Sequence, residues 1–185
     1  MSNNMRLKEK YQKTIVPEMA KELDFKNAHL APRLTKVVIN VGFGKHLKEK
    51  DFAAGVESSL ARISGQKAVF TKAKKSISAF KIREGQIIGS KVTLRGKKMY
   101  DFVERLVNIT FPRVRDFRGI DDKAVDRNGN LTVGLKDCSC FPEIRVEDSE
   151  DIFGLEICLA TNALDRKAGL LLFRQIGFPF KSVNK

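Results

Sequence analysis

Apolar residues recur three or four positions apart in four stretches of this chain, which predicts four amphipathic helices. They cover residues 5–23, Asp51–Ser64, Lys97–Phe111 and Asp165–Ile176. Pro17 is expected to kink or restart the first helix, and Pro112 to close the third. Asp51 and Asp165 are expected to cap their helices, and Gly65 to end the second. The inward residues of the third helix are expected to be Met99, Phe102, Val103, Leu106 and Ile109.

Between the helices, apolar and polar residues alternate, which predicts strands. The predicted strands are Leu34–Val41, Lys67–Ala73, Ile87–Arg95, Leu131–Leu135 and Gly154–Thr161. Asn128-Gly129 is a strong hairpin signal and suits a type I′ turn, in which both residues have φ > 0. Strands and helices interleave without repeats or a linker. One α+β domain over residues 1–185 is therefore predicted.

A short glycine-containing turn follows the first strand and resembles a phosphate-binding loop, Gly42-Phe43-Gly44-Lys45. A dinucleotide fingerprint would need glycine where Leu47 stands, and a Walker-type loop would need glycine at Ile39 and Ser or Thr at His46. Both motifs fail. The two glycines are instead expected to allow a tight turn with positive φ.

The stretch Gly65–Gly96 carries eight basic residues and one acidic residue, Glu84. Its two strands flank a basic loop, about Lys74–Gln86, and loops of this length are usually functional or disordered. Such a loop repels itself and favours a polyanionic partner. Ile77 and Phe80 could stack on nucleobases or fold under the loop. A solvated lysine-rich loop without a partner is the alternative.

Positive charge is concentrated in the middle of the chain. The formal net charge is +13, and residues 65–118 hold fourteen basic and four acidic groups. Such a block is typical of a face opposite phosphates. A membrane surface would also attract it, but no stretch approaches the length of a spanning helix and no signal peptide opens the chain. A cytoplasmic protein is therefore predicted.

Neither the cysteines nor any motif indicates a metal site or catalysis. Cys138, Cys140 and Cys158 are an odd number, so a complete disulfide framework is not expected. Cys138-Ser-Cys140 could suggest a metal, but zinc sites need four ligands at other spacings, so free, partly buried thiols that act as small apolar groups are favoured. No nucleophile, base and stabiliser can be recognised together, so no enzyme, cofactor or metal is predicted. Motifs of the common RNA-binding modules are also absent.

Several segments together resemble the large-subunit ribosomal protein five family in its bacterial form. They are Lys36–Gly44, Gly65–Gly85, Gly89–Gly96, Phe111–Gly119, Phe141–Ile144 and Gly177–Phe180. Their order and spacing cover nearly the whole chain. The resemblance implies an α+β sandwich with a mainly antiparallel sheet, packed by helices on one side and carrying a long basic loop.

The resemblance also implies a role in the ribosome. That family binds 5S ribosomal RNA and anchors it in the central protuberance. There it also meets 23S ribosomal RNA, peptidyl-site transfer RNA, neighbouring ribosomal proteins and a small-subunit protein at an intersubunit bridge. A free-standing RNA chaperone or regulator that uses the same face on other RNAs is the alternative that the sequence leaves open.

The predicted RNA contacts fall into two groups. The family's 5S contacts match Asn40, Gln66 and Thr93, and cations around them extend this group with Lys67, Lys91 and Arg95. Asn40 is also unusual by itself, because asparagine is disfavoured within strands; it either ends the strand or offers its amide to a ligand. The basic loop resembles the family loop that reaches transfer RNA. This implies contacts by Lys74, Lys75, Ser76, Ile77, Phe80 and Lys81.

Overall fold

The computed structural model describes residues 6–25, 27–44, 46, 49–144 and 152–181. In this part of the chain the fold is α+β, as predicted, with an open antiparallel sheet of five strands. The strands are β1 (Leu34–Gly42), β2 (Val69–Lys72), β3 (Ile87–Leu94), β4 (Leu131–Leu135) and β5 (Leu155–Thr161). Their order across the sheet is β2-β3-β1-β5-β4.

All four predicted helices are present, and two of them contain a π-helical segment. Helix α1 consists of Leu7–Lys10, the π segment Tyr11–Ile15 and Val16–Glu22. Helix α3 consists of Gly96–Arg105, the π segment Leu106–Thr110 and Phe111–Arg113. Helices α2 (Lys50–Ser64) and α4 (Arg166–Ile176) are regular.

Both π segments lie just before a proline. Pro17 and Pro112 are each the second residue of the α-helical segment that follows. Proline has no N–H and its ring clashes with the preceding turn, and a wider π turn relieves this conflict. On α3 itself, Thr110 is buried, whereas Ile109 is 41% exposed. The prediction that Ile109 lies inward is therefore wrong, whereas the helix ends at Arg113, one residue after Pro112, close to the predicted end.

The helix ends test the predicted caps. The Asp165 carboxylate accepts a hydrogen bond from the Ala168 N–H (2.7 Å), which confirms the cap of α4. Asp51 is not a cap: Glu49 holds that position without a side-chain bond, and Asp51 lies in the first turn, where its charge suits the helix dipole. Gly65 ends α2 in a left-handed conformation, as predicted.

The connection before β4 is a hairpin turn, but not of type I′. Gly129 has φ +72, whereas Asn128 does not have positive φ. The Gly129 N–H donates to the Asp126 carbonyl (3.2 Å), and the Asp126 N–H donates to the Asn130 carbonyl (2.8 Å). A single left-handed glycine therefore closes this turn. Gly129 also lies against Gly169 of α4.

The turn after β1 differs from its prediction as well. Neither Gly42 nor Gly44 has positive φ. Phe43 between them is buried, with its ring centroid 5.6 Å from that of Phe52 and 6.5 Å from that of Phe70. Packing of Phe43 therefore holds this turn without a left-handed residue. Lys45 lies outside the described residues.

The described residues form two compact units. The first comprises the described parts of Met1–Val37, Leu94–Val133 and Cys158–Lys185, and the second those of Val38–Thr93 and Gly134–Ile157. Each has its own aromatic cluster: Phe111, Phe173 and Phe178 in the first, and Phe43, Phe52, Phe70 and Phe153 in the second. The prediction of one domain over residues 1–185 stays a prediction.

Candidate nucleic-acid interface

A hydrogen bond joins two of the residues predicted to contact RNA. The Gln66 Nε2 donates to the Thr93 carbonyl (3.2 Å), which links the segment after α2 to β3. Ser64 fixes this segment, because its hydroxyl accepts from the Gln66 N–H (3.2 Å) and donates to the Leu60 carbonyl (2.6 Å). The bond to Thr93 uses the amide nitrogen of Gln66. Within the part of the chain that the structure describes, the Gln66 amide oxygen and the Thr93 hydroxyl have no hydrogen-bond partner.

The exposed side of β3 carries the predicted cation. Val92 and Leu94 are buried, whereas Lys91 on the opposite side is exposed and Thr93 is half-buried. Antiparallel pairing places Val69 of β2 directly opposite Lys91, and Val69 is 60% exposed. Residues opposite each other in such a pair share one side of the sheet. Val69 is thus an apolar member of this surface that the sequence reasoning missed, since only the register reveals it.

Asn40 lies on the exposed side of the neighbouring strand. The bond from the Phe43 N–H to the Ile88 carbonyl (2.9 Å) pairs the end of β1 with the start of β3. Ile39 and Val41 are buried and Asn40 is half-buried, so its side chain is on the opposite side from the core. Among the described residues, its amide has no hydrogen-bond partner. β1 continues to Gly42, so Asn40 does not end the strand, and the alternative that it offers its amide to a ligand stays a prediction.

Close packing holds these strands in register. A Cβ atom added at Gly89 would lie 2.7 Å from the Val41 carbonyl oxygen and 3.0 Å from the Thr71 Oγ1. Glycine is therefore required at this position of β3 because neighbouring atoms approach it from both sides. The polar side chains of the interface thus stand on a rigid backbone.

The two remaining cations of this group lie at its margins. Lys67 Nζ is 3.7 Å from the Glu57 Oε1, but the Lys67 side chain is 87% exposed. A pair this exposed contributes little stability, so Lys67 can exchange Glu57 for a phosphate at small cost. Arg95 directly follows β3 and is exposed. We name the group Asn40, Gln66, Lys67, Lys91, Thr93 and Arg95 the polar face.

The segment Lys74–Gln86, which we name the arm, is more ordered than the predicted loop. Ile77 and Ile82 exchange backbone hydrogen bonds (3.0 and 3.1 Å), and Ser78–Phe80 forms a 3-10 turn between them. At its base the Ala73 N–H donates to the Gln86 carbonyl (2.8 Å). The arm is therefore a hairpin extension of β2 and β3, because its backbone groups pair with one another.

The arm's side chains remain open to solvent. The six predicted contact residues are all exposed: Lys74, Lys75, Ser76, Ile77, Phe80 and Lys81. Phe80 is 67% exposed at the tip, so it does not fold under the arm. Lys81 has the left-handed φ of +55, which turns the chain at the tip. Within the described residues no ion pair engages the arm's lysines. The result is a hairpin of net positive charge with an apolar tip.

Other chemistry is not supported by the described residues. They contain no cluster of side chains able to hold a metal ion, and no helix among them could span a membrane. None of the three cysteines, all within the described residues, is part of a disulfide; Cys138 and Cys140 are buried, and Cys158 is half-buried. Burial raises the pKa of the Cys138 thiol, although a backbone hydrogen bond from Phe153 opposes the shift. A thiol of this kind behaves as a small apolar group.

Comparison with known proteins identifies the family. A family model described as ribosomal protein L5 matches residues 27–83, and a model of the C-terminus of the same ribosomal family matches residues 87–180. The large ribosomal subunit protein uL5 of Solibacter usitatus is 47% identical over 176 residues, which are 95% of this chain and 98% of that protein. The uL5 of Fervidobacterium nodosum is 49% identical over 95% of both chains. The uL5c of Paulinella chromatophora is 44% identical over 96% of this chain and 99% of that protein.

These matches cover both compact units and extend over nearly the whole length of the relatives. They confirm the resemblance drawn from the sequence. They also confirm that the protein is not an enzyme, because the family is structural. The chain belongs to the ribosomal protein L5 family.

Proposed function

We propose that the chain binds 5S ribosomal RNA through the polar face and reaches peptidyl-site transfer RNA with the arm. In the central protuberance it would also meet 23S ribosomal RNA, neighbouring proteins and a small-subunit protein at an intersubunit bridge. The observation that carries this proposal is the exposed side of β1 and β3. There Asn40, whose amide has no partner among the described residues, accompanies an exposed cation, Lys91.

The coarser part of this function follows from the family. A member of the ribosomal protein L5 family is a structural constituent of the large ribosomal subunit, with ribosomal RNA and proteins as partners. The predicted location, in the cytoplasm and in the ribosome, agrees with this membership. The sequence left two functions open, and membership of the family favours the ribosomal constituent over the free-standing chaperone.

The polar face suits a rigid RNA surface. Asn40 and Thr93 are short, uncharged and mounted on paired strands, so their hydrogen-bonding groups have fixed positions. Lys67, Lys91 and Arg95 add charge for phosphates. Fixed donors and acceptors lose little conformational entropy on binding, which favours a permanent RNA partner.

The arm suits a partner that arrives and leaves. Its charge attracts phosphates over a distance, and Phe80 offers a ring on which a base can stack. The predicted contacts of the arm are mainly cations and apolar side chains, whereas the polar face also offers the amides of Asn40 and Gln66. Binding through it is therefore expected to depend more on salt and less on sequence.

A filter-binding assay on 5S RNA tests the polar face. Thr93→Val removes the hydroxyl but keeps the shape, and Asn40→Ala removes the amide. Each should weaken binding by roughly 1–3 kcal/mol, because the RNA group also loses its partner. Thr71→Val is the matched control, since Thr71 is a half-buried threonine on β2 outside the polar face. Equal affinity of all three variants and wild type would refute the assignment.

The arm is tested on ribosomes reconstituted with each variant. Lys74→Ala combined with Lys75→Ala should leave 5S binding intact and lower transfer-RNA occupancy of the peptidyl site. If the double variant loses 5S RNA while Asn40→Ala keeps it, the two roles are reversed and the assignment fails.

A further inference from the structure

The backbone ladder of the arm is interrupted at one pair of residues. The hydrogen bonds that Ile77 and Ile82 exchange near the tip set the register of the two strands. Bonded pairs of an antiparallel ladder recur at every second residue, so Lys75 and Glu84 would be the next pair toward the sheet. Within the described residues no backbone hydrogen bond joins them. The two strands of the arm are therefore not held by their backbones at this level.

A side chain replaces the missing ladder bond. The Glu84 N–H donates across the arm to the Ser76 Oγ (2.9 Å). The serine hydroxyl thus accepts the bond that the Lys75 carbonyl would accept in a regular hairpin. Ser76 thereby connects the outgoing strand of the arm to the returning strand.

The interrupted pair lies beside a bend in the returning strand, residues 83–86. The Gln86 N–H donates to the Arg83 carbonyl (3.2 Å), and Gly85 has a φ of +79, which suits the third residue of a type II turn. The Gln86 Oε1 accepts in turn from the Arg83 N–H (3.1 Å). Because a turn inside a strand changes the direction of the chain, the course of the arm from the sheet is set here, and the Gln86 side chain holds it.

These two side-chain bonds contribute order more than stability. Arg83 and Glu84 are exposed, so water can satisfy their N–H groups when a side chain is removed, and the net loss of stability is small. Without the bonds, however, the returning strand is free to take other conformations. A flexible arm loses more conformational entropy than an ordered arm when it binds a partner.

We propose that Ser76 and Gln86 are positioning residues of the arm, which hold it in one direction so that its lysines and Phe80 reach transfer RNA together. They act on transfer RNA through the backbone that they hold. This inference rests on the proposed transfer-RNA role of the arm. It gives Ser76 a different role from the direct contact that the family resemblance implies.

The experiment compares order and binding in full-length protein. Ser76→Ala should lower the NMR order parameter of the Glu84 amide from about 0.85 toward 0.6, and Gln86→Met should do the same for the Arg83 amide. On ribosomes reconstituted with either variant, transfer-RNA binding should weaken by about three- to tenfold, which corresponds to one hydrogen bond. The slope of log K against log salt should stay that of wild type, because no charge is removed.

Two serine variants serve as controls. Ser76→Thr keeps the hydroxyl, so it should retain both the order of the Glu84 amide and the binding of transfer RNA. Ser78→Ala removes another exposed hydroxyl of the arm, one that has no hydrogen-bond partner among the described residues, and it should change neither quantity. Binding of 5S RNA should be that of wild type in all four variants.

The other outcomes contradict the proposal in distinct ways. Weaker transfer-RNA binding by Ser76→Ala with an unchanged Glu84 amide would make Ser76 a direct contact. A disordered Glu84 amide with unchanged binding would show that the direction of the arm does not matter to its partner. The variant Lys74→Ala, Lys75→Ala separates these failures from failure of the proposed function. If it keeps full transfer-RNA occupancy, the transfer-RNA role itself fails; if it loses occupancy while Ser76→Ala keeps it, only the positioning role fails.

Discussion

The arm and the turn Asp126–Asn130 are connections of the same kind with opposite surroundings. Both are closed by short backbone hydrogen bonds, between Ile77 and Ile82 in the arm and between Asp126 and Asn130 in the turn. The side chains of the arm extend into solvent, and Phe80 at its tip is largely exposed. Gly129, by contrast, is buried against the start of α4.

The difference shows that an ordered backbone can serve either stability or binding. In the turn, a Cβ atom added at Gly129 would lie 2.6 Å from the Ala163 Cβ and 2.9 Å from the Asp165 carbonyl oxygen. No comparable packing restrains the arm, whose residues 74–81 are all exposed. Substitutions in the turn should therefore act on folding, and substitutions in the arm on RNA binding.

The largest effect is expected in the turn. Gly129→Val forces a β-branched residue into positive φ and into a filled space, so the free energy of unfolding should fall by about 3 kcal/mol or more in urea denaturation. Gly134→Val is the control, because Gly134 has ordinary φ and no atom within 4 Å of an added Cβ. The free energy of unfolding of the Gly134→Val variant should change by no more than about 0.5 kcal/mol. Similar losses in the two variants would show that the packing around Gly129 does not decide its stability.

The next effect is expected at the tip of the arm. Phe80→Ala removes a stacking surface, so transfer-RNA binding to reconstituted ribosomes should weaken by about 1–3 kcal/mol if one base stacks on the ring. Its unfolding free energy should change by less than about 0.5 kcal/mol, because the ring is exposed. A clear loss of stability without a loss of binding would make Phe80 a packing residue and reverse the comparison.

Acid sensitivity is expected in the turn. Burial alone would raise the pKa of Asp126, but hydrogen bonds from Asn130 (2.7 Å from its N–H, 2.9 Å from its Nδ2) and from the Asn128 backbone outweigh it and lower that pKa. The stability gained is therefore present above the unfolded pKa of about 3.9 and is lost as pH falls through the lower folded value. Asp126→Ala should lower the free energy of unfolding by about 1 kcal/mol or less at pH 7, and by a smaller amount at acid pH. Asp126→Asn, which cannot titrate, should flatten the same part of the pH curve. A parallel shift at every pH would contradict this account.

The smallest effect concerns single charges in the arm and in the turn. Lys75→Ala should reduce the slope of log K against log salt for transfer-RNA binding by about 0.9 units, the value for one phosphate contact. Arg127→Ala removes an exposed charge from the turn and should leave the slope unchanged. Equal slopes of log K against log salt for the two variants would mean that neither the arm nor the turn makes a specific contact with RNA.

Local rules account for what the sequence by itself determined. The helix Arg166–Ile176 follows from its spacing, its Asp165 cap and Gly177 after it, and all of these signals lie within one short segment. Alternation in Leu131–Leu135 likewise places Leu131, Val133 and Leu135 in the core. The block of positive charge in residues 65–118 and the position of the arm likewise depend on residues that are neighbours in the sequence. Such features were predicted because the residues that cause them are close in sequence.

Contacts between distant residues decided the rest. The form of the turn depends on the contact between Gly129 and Gly169. The place of Val69 on the exposed surface follows from its pairing with Lys91. The hydrogen bond between Gln66 and Thr93 joins residues 27 positions apart. In α3, Thr110 rather than Ile109 is buried, and the π segment Leu106–Thr110 lies just before Pro112. Local spacing cannot contain such information, because register, interhelical packing and helix irregularities are set by atoms that only the folded chain brings together.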